Sequence, residues 1–434
     1  MNSPTATPQF FPDPPESKYT FERSLRKYFL FNPKRWPKIR YAPKPQPPDP
    51  DGQPEEFDKF IAEKRYGFVT RLMLAKAGVP AGSVVYEDVK VLNRVLVRPF
   101  IDEDFNAGFW QNQYFLFQWL FALFALFATI FAVLATATAV ASATAASLTT
   151  TLPANALPGI FNYKLAGFFG TLTTIMAVIV TILVSAYNRD RPQRTWYEKR
   201  RNAESLRKQY YLYLMHMPPY DNQRHAFALQ MIVARIQHSG EQKPDIRADT
   251  PPRAPAHTDA DSAALLTLYN DLRVQEQMVY YKQRSREYDF NADVTFSLTL
   301  AVPLAVTLIA GFNIAYTNPF VALVIVIMPS IGALFATFQR VYDWEKQQTL
   351  YQKTFEGLQE AKIIDYADKK PPEILRALVD AVENELAKES DQWGAALNEI
   401  ATEISAEQII DAFKKKTSAT EDEVRQLRQQ LGLK

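Results

Sequence analysis

The chain has 434 residues, 47% of them apolar and 22% charged, with a formal net charge of +2 and no cysteine. This excludes a disulfide frame, a thiolate metal site, a cysteine nucleophile and a CxxC redox pair, and it lacks the dominant basic balance of a nucleic-acid binder. Bulk composition is that of an ordinary globular chain, yet three stretches carry no Asp, Glu, Lys or Arg: 59 residues from Phe105 to Tyr163, 24 from Leu165 to Asn188 and 46 from Val294 to Gln339. About 20 apolar helical residues span the ~30 Å hydrocarbon of a bilayer, so these runs predict membrane crossings.

Residues 1–54 hold 13 of the 29 prolines, a composition that favours extended chain over a packed core, and the segment is expected to be disordered. It lacks the apolar region of a secretory signal, so insertion is expected to begin at the first internal helix. Between Lys18 and Lys44 it carries nine Lys or Arg against Glu22 alone, interleaved with Phe21, Tyr28, Phe29, Phe31, Trp36 and Tyr41. That mixture suits either contact with an anionic membrane surface or a solvated tail.

A small segment, 55–104, follows. Glu55 to Ala77 reads as one helix stopped by Gly78 and Pro80, whereas the β-branched run Val84 to Phe100 fits either a strand pair or a short helix. The unit 105–215 opens with a crossing from about Phe109 whose Ala/Thr-rich end overshoots the hydrocarbon. At 100° per residue Gln118, Ala122, Ala125, Thr129 and Ala132 share one sector, with Leu116, Trp119, Leu123, Leu126 and Ile130 roughly opposite. Small residues let helices approach closely in lipid, so the first face is expected to pack on protein and the second to meet lipid. Leu165 to Tyr187 then crosses back, completing a hairpin.

Residues 216–260 read as a helix and a Pro/Asp/Ala linker, and 261–367 as a second hairpin with flanking helices: Val294 to Tyr316 crosses and Phe320 to Phe338 returns. Residues 368–434 read as short helices, with a capping box at Thr420 to Glu423. Arg189 to Lys208 carries eight basic residues against three acids, while the hairpin turns share only Lys164. The positive-inside rule therefore places both termini and the connector in the cytoplasm, with the protein multi-pass in the plasma (inner) membrane. The fold class is all-α integral membrane protein: four transmembrane helices as two hairpins, long cytoplasmic helical extensions and a disordered Pro-rich N-terminus.

There is no phosphate loop, dinucleotide-binding glycine motif or nucleophile elbow, so the expectation is no enzyme, no catalytic residue and no cofactor. None of the four histidines (His216, His225, His238, His257) has a second ligand at metal spacing, so no metal site is expected either. No charge lies inside a crossing, which argues against a proton relay or voltage sensor. Pro303 and Pro329 sit near mid-crossing, beside Thr299 and Ser330, and their kinks fit a gate or static bends. The remaining polar side chains, among them Thr136, Thr173, Thr174, Thr181, Thr307 and Thr337, fit the lining of a path or bonds to neighbouring helices and their own backbones.

Each hairpin runs into a helical extension. Trp196, Ala203, Leu206 and Tyr210 recur at seam spacing in the first, as do Trp344, Tyr351, Phe355 and Leu358 in the second, and Ala203 to Leu206 aligns with Phe355 to Leu358. A tandem duplication or fusion of related modules is the origin this suggests. The pattern of Trp196 and Tyr197, then Arg200 and Arg201, then Ala203-Glu204-Ser205-Leu206-Arg207 and Tyr210 resembles the SLATT family, the SMODS and SLOG-associating two-transmembrane effector domain. Tyr280 to Arg284, leading into the second hairpin, is similar. The likeness covers roughly 105–215 and 265–365, and the second extension departs from it at Gly357 and at Gln359, where a basic residue is usual. The resemblance implies a prokaryotic inner-membrane protein proposed as a pore-forming effector in nucleotide-signalled defence. Two readings stand: a homo-oligomeric, weakly selective pore gated by the cytoplasmic helices, or an anchor and oligomeriser for a helical platform that binds a partner.

Overall fold

The computed structural model describes Lys18 and residues 36–149, 158–221, 225–237, 257–315, 319–363 and 369–388. Among the described residues there is no strand. Helices α1 (Pro54–Lys64), α2 (Arg71–Lys76) and α3 (Val84–Leu92) lead through a π turn, Asn93–Val97, into α4 (Arg98–Thr149), and α5 (Pro158–Asp190) returns beside it. Next come α6 (Pro192–Leu214), α7 (His225–Gln237) and α8 (Asp259–Tyr269), which passes through a second π turn, Asn270–Gln275, into α9 (Glu276–Ala315). Helix α10 (Pro319–Tyr342) returns, α11 (Trp344–Ala361) follows, and a last helix, α12, spans 371–388.

Four helices are long and apolar enough to cross a membrane, and their most apolar stretches are almost wholly unburied within the chain. Everything else gathers in one head. The core of that head joins α1 to α3, the base of α4, α6 to α8, the base of α9, α11 and α12. At ~1.5 Å per residue, α4 runs ~78 Å and α9 ~60 Å, about twice the hydrocarbon thickness or more. Both are therefore unbroken rods from the head's core into the membrane.

Local chemistry explains the head's punctuation. Glu55 to Ala77 is two helices: α1 ends at Arg65 (φ 52°), Gly67 (φ 76°) turns the chain, and Thr70 caps α2 by accepting from the Met73 amide. A side chain on Gly67 would also crowd the Leu272 carbonyl, 3.3 Å from its Cβ position. The undecided run Val84 to Phe100 is helical throughout. Ser83 caps α3, and Val85, Val89, Leu92 and Leu96 fall on one helical face that is fully buried, so tertiary burial overrides β propensity.

The extensions are not direct continuations of the crossings. Arg191 (φ 44°) separates α5 from α6, and Asp343 (φ 43°) separates α10 from α11, each in the left-handed region. The two breaks stand the same 12 positions before Ala203 and Phe355, the register read from the sequence. The second extension ends at Ala361 rather than near Ala367.

The described stretch of the Pro-rich segment, residues 36–53, has no helix and touches the rest of the chain at several points. Lys38 exchanges two hydrogen bonds of 2.7 Å with the Asn112 amide, Lys44 pairs with Asp102 at 2.7 Å and Arg94 with Asp51 at 2.9 Å. Tyr41 lies edge-on to Phe105 and Phe109, over Gly108, where any Cβ would meet its hydroxyl at 2.6 Å. Proline selects an extended backbone; the aromatic residues between the prolines supply the packing. The hairpin turns, residues 389–434 with their capping box, and His238 lie outside the described residues.

Candidate functional site

The two hairpins meet the head at an aromatic junction. Trp119 donates its indole N–H to the Tyr342 hydroxyl at 2.9 Å and packs on Phe338 and Trp36 at 4.9 and 5.2 Å. Tyr342 stacks on Phe115 at 4.5 Å and on Trp344 at 5.1 Å, and Phe115 also touches Trp196. Such amphipathic rings suit a membrane interface, where one end is apolar and the other wet. Beside them is a cavity of about 570 Å³, lined by Tyr41, Tyr66, Asp104, Trp196, Arg200, Tyr280, Arg284 and Tyr351 among others. Its volume is that of a small-molecule site, and its wall takes residues from the N-terminal segment and from both hairpin units.

All eight seam residues, Trp196, Ala203, Leu206, Tyr210, Trp344, Tyr351, Phe355 and Leu358, are buried. The two seams do not zip to each other: α6 lies on the base of α4, and α11 on the base of α9. Tyr210 sits against Phe68 and donates to the Val69 carbonyl at 2.9 Å, while Tyr351 packs on Tyr281 and Tyr288. At Gly357 a Cβ would meet the Glu385 carboxylate of α12, the far end of a flexible side chain.

The expected packing face divides. Gln118 and Ala122 are partly covered, the latter beside Phe338 and Trp344, whereas Ala125, Thr129 and Ala132 are exposed within the chain. Trp119, expected to meet lipid, is instead held against α10. Pro303 and Pro329 lie inside unbroken helices with exposed rings, and Thr299 and Ser330 are half-buried. The Thr299 hydroxyl donates to the Thr295 carbonyl at 2.9 Å and Thr307 to that of Pro303 at 3.0 Å. Thr129, Thr136, Thr173, Thr174, Thr181 and Thr337 likewise bond carbonyls one turn back in their own helices, and the structure does not bring these residues together.

Among the described residues buried charge lies in the head, and most of it is paired. Arg273, in the second π turn, makes two bonds of 3.0 and 3.1 Å to Glu383 of α12, both side chains nearly inaccessible, and Tyr269 donates to the same carboxylate at 3.1 Å. Burial alone would lower the Arg273 pKa, but Glu383 more than compensates and raises it. For Glu204, burial is likewise outweighed, here by Arg207, Arg200 and Arg273, which hold its carboxyl at about 2. Glu103 on α4 receives Lys199 at 3.1 Å and Asn202 at 3.3 Å from α6, tying the first seam by charge as well as packing.

A second constellation was invisible in the sequence. Asp88 of α3 faces three imidazoles: His216 Nε2 at 2.8 Å and His257 Nε2 at 3.5 Å from Oδ2, and His225 Nε2 at 3.6 Å from Oδ1. Burial would raise the Asp88 carboxyl, and the three histidines outweigh it, holding it well below the usual carboxylate range. The donors come from α3, the turn after α6, the first residue of α7 and the residue before the α8 cap, 128 to 169 positions from Asp88. No local spacing rule could have joined them; the only sequence signal was that the described histidines bracket one connector.

Comparison with known families places the membrane hairpins. Residues 269–393 match the family described as SMODS and SLOG-associating 2TM effector domain 1, and residues 117–228 match one described as a protein of unknown function, DUF4231. The second hairpin and its extension therefore carry the SLATT likeness seen in the sequence, within an all-α chain with four membrane-spanning helices. No curated protein and no solved structure matches the chain.

Proposed function

We propose that this protein is a membrane-embedded effector that acts without catalysis: several copies form a weakly selective pore gated from the head, in a nucleotide-signalled defence system. The observation that carries the reading is mechanical. Helices α4 and α9 are continuous from the fully buried core of the head into the membrane, so displacement of that core is delivered directly to both hairpins. The SLATT match contributes the word effector, which belongs to the matched family's description. The aromatic cavity, walled by both units, is the natural place for a signal to enter, and Pro303 and Pro329, each inside a crossing helix, are the places in the membrane most able to yield.

In this reading both termini and the head face the cytoplasm across the inner membrane, following the basic excess at Arg189 to Lys208. The exposed Ala125, Thr129 and Ala132 supply a contact between copies, and the basic residues of the N-terminal segment approach anionic lipid. The shared register of the breaks at Arg191 and Asp343 supports a tandem origin for the hairpins.

A second reading, a membrane anchor and oligomeriser whose head binds a partner protein, is favoured by one observation: the hydroxyls along the crossings bond their own helices and do not converge. Ion efflux from liposomes holding the purified chain, paired with mass determination in detergent, separates the two. Efflux of ions of both signs from an oligomer supports the pore; an inserted oligomer that leaves the vesicles tight supports the anchor.

A further inference from the structure

We propose that Asp88, His216, His225 and His257 form a binding site for a divalent transition-metal ion of the Zn²⁺ class, which staples the connector between the hairpins to the base of the first. Imidazole nitrogen and carboxylate oxygen are the ligands that Zn²⁺ takes where thiolate is absent, and three nitrogens with one oxygen complete a four-coordinate shell. Asp88, His216 and His225 each present one donor atom, and these atoms lie within 4.8 Å of one another. His257 adds a fourth, its Nε2 3.5 Å from the same Asp88 Oδ2 that faces His216.

The separations favour metal ligation over a hydrogen-bonded cluster. Bonds of ~2.0–2.1 Å arranged tetrahedrally put neighbouring donor atoms ~3.3–3.4 Å apart. From Oδ2, His216 Nε2 at 2.8 Å and His257 Nε2 at 3.5 Å bracket that value, and His225 Nε2 stands 3.6 Å from the other oxygen, Oδ1. A carboxylate gathering three N–H groups as hydrogen-bond acceptor would draw each to ~2.7–2.9 Å, and only His216 is so close. All three rings also turn the same nitrogen, Nε2, toward the Asp88 carboxylate. His216 and His257 lie 4.3 Å apart between centroids, and His216 and His225 5.2 Å.

The surroundings fit a built site. The Asp88, His216 and His257 side chains are 4%, 5% and 7% exposed and His225 16%, so a bound ion would be shielded while one ring edge meets solvent. His216 is held in the left-handed region at φ 47°, which ends α6 and turns its ring back onto α3. Next to the cluster the Tyr213 ring lies 5.2 Å from that of His225. Its buried hydroxyl is without a hydrogen-bond partner among the described residues, an orphan group at the edge of a polar site. A metal here would join α3 to the turn after α6, the start of α7 and the start of α8, fixing the connector directly beneath the π turn that leads into α4.

The test uses the full chain, purified in detergent with an affinity tag other than polyhistidine and dialysed against metal-free buffer. Zinc content is measured by mass spectrometry after adding one equivalent of Zn²⁺, and visible absorption is recorded with Co²⁺ in its place. About one tightly held ion per chain, the intense d–d bands of four-coordinate Co²⁺ and a Tm raised by Zn²⁺ and lowered by chelator are expected. His225→Ala and His257→Ala, at the rim of the cluster, should each weaken binding by at least about tenfold and together abolish the Tm response. Their helical circular dichroism should be unchanged, and His238→Ala should bind as wild type does. Should Asp88→Asn fail to fold, the two rim variants still decide. A folded wild type that retains no ion, or binding indifferent to the double rim variant, would overturn the proposal and leave a histidine-carboxylate cluster that only hydrogen-bonds.

Discussion

Head and membrane hairpins are both helical and both apolar, but they satisfy their helices in opposite ways. In the head, large side chains such as Tyr210, Tyr211, Tyr269, Leu206 and Leu358 are fully buried within the chain, and charge taken in with them is held by pairing, as Arg273 is by Glu383. In the hairpins, Leu304, Leu308 and Phe312 are 55%, 62% and 72% exposed, the crossings carry no charged side chain, and hydroxyls turn back on their own backbones. The head therefore specifies its structure by complementary packing and pairing, and the hairpins specify theirs by length and composition, leaving their outer surfaces to lipid or to further copies.

The comparison breaks most visibly if one half of the head's buried ion pair is removed. Arg273→Met leaves Glu383 charged and unpaired, and the head of the full chain should lose about 3–5 kcal/mol in chemical denaturation followed by tryptophan fluorescence. The double variant Arg273→Met/Glu383→Leu should recover much of that loss. Somewhat smaller is the contrast between two leucines. Leu206→Ala empties a fully buried seam position and should cost about 2–5 kcal/mol, whereas Leu308→Ala, at an exposed membrane position, should change stability by no more than about 0.5 kcal/mol.

A third substitution sharpens the comparison at the small-residue face. Because Ala125 is exposed in one chain, Ala125→Leu should leave the folded protomer intact and diminish the detergent-resistant oligomer, while Leu123→Ala should diminish neither. Loss of the protomer's fold would place the contact within the chain instead. The smallest effect concerns pH. Glu204 has a carboxyl held at about 2 by its arginines, below its unfolded value near 4.5, so its contribution is complete above pH ~4.5 and lost as pH falls toward 2. Glu204→Gln should flatten that part of the acid-unfolding curve and leave the neutral region unchanged in slope.

How much could be read in advance follows the same division. The four crossings were legible because absence of charge over a bilayer's length is a one-dimensional signal, and the eight seam residues were legible because helical spacing is local. The register between Ala203 and Phe355 survived into three dimensions, marked by the breaks at Arg191 and Asp343. What depended on distant partners was hidden. The packing of Trp36 and Tyr41 required knowing that α4 runs beneath them, the helical state of Val84 to Phe100 required a core to bury it, and the Asp88 cluster required four separate segments to meet. The backbone bonds of the threonines have a local cause that spacing does not reveal: a threonine hydroxyl in a helix has the carbonyl one turn back within reach.

Single-channel recording of the purified, verified oligomer in a planar bilayer tests whether the hairpins conduct when the head moves them. Stepwise currents that discriminate weakly between cations and anions are expected, because no ring of charge lies in any crossing. Pro303→Ala, which restores a backbone hydrogen bond in α9, should change the open probability and leave the unitary conductance nearly as it was. An inserted oligomer that stays silent under every head-side nucleotide and pH applied would contradict the pore and leave the anchor.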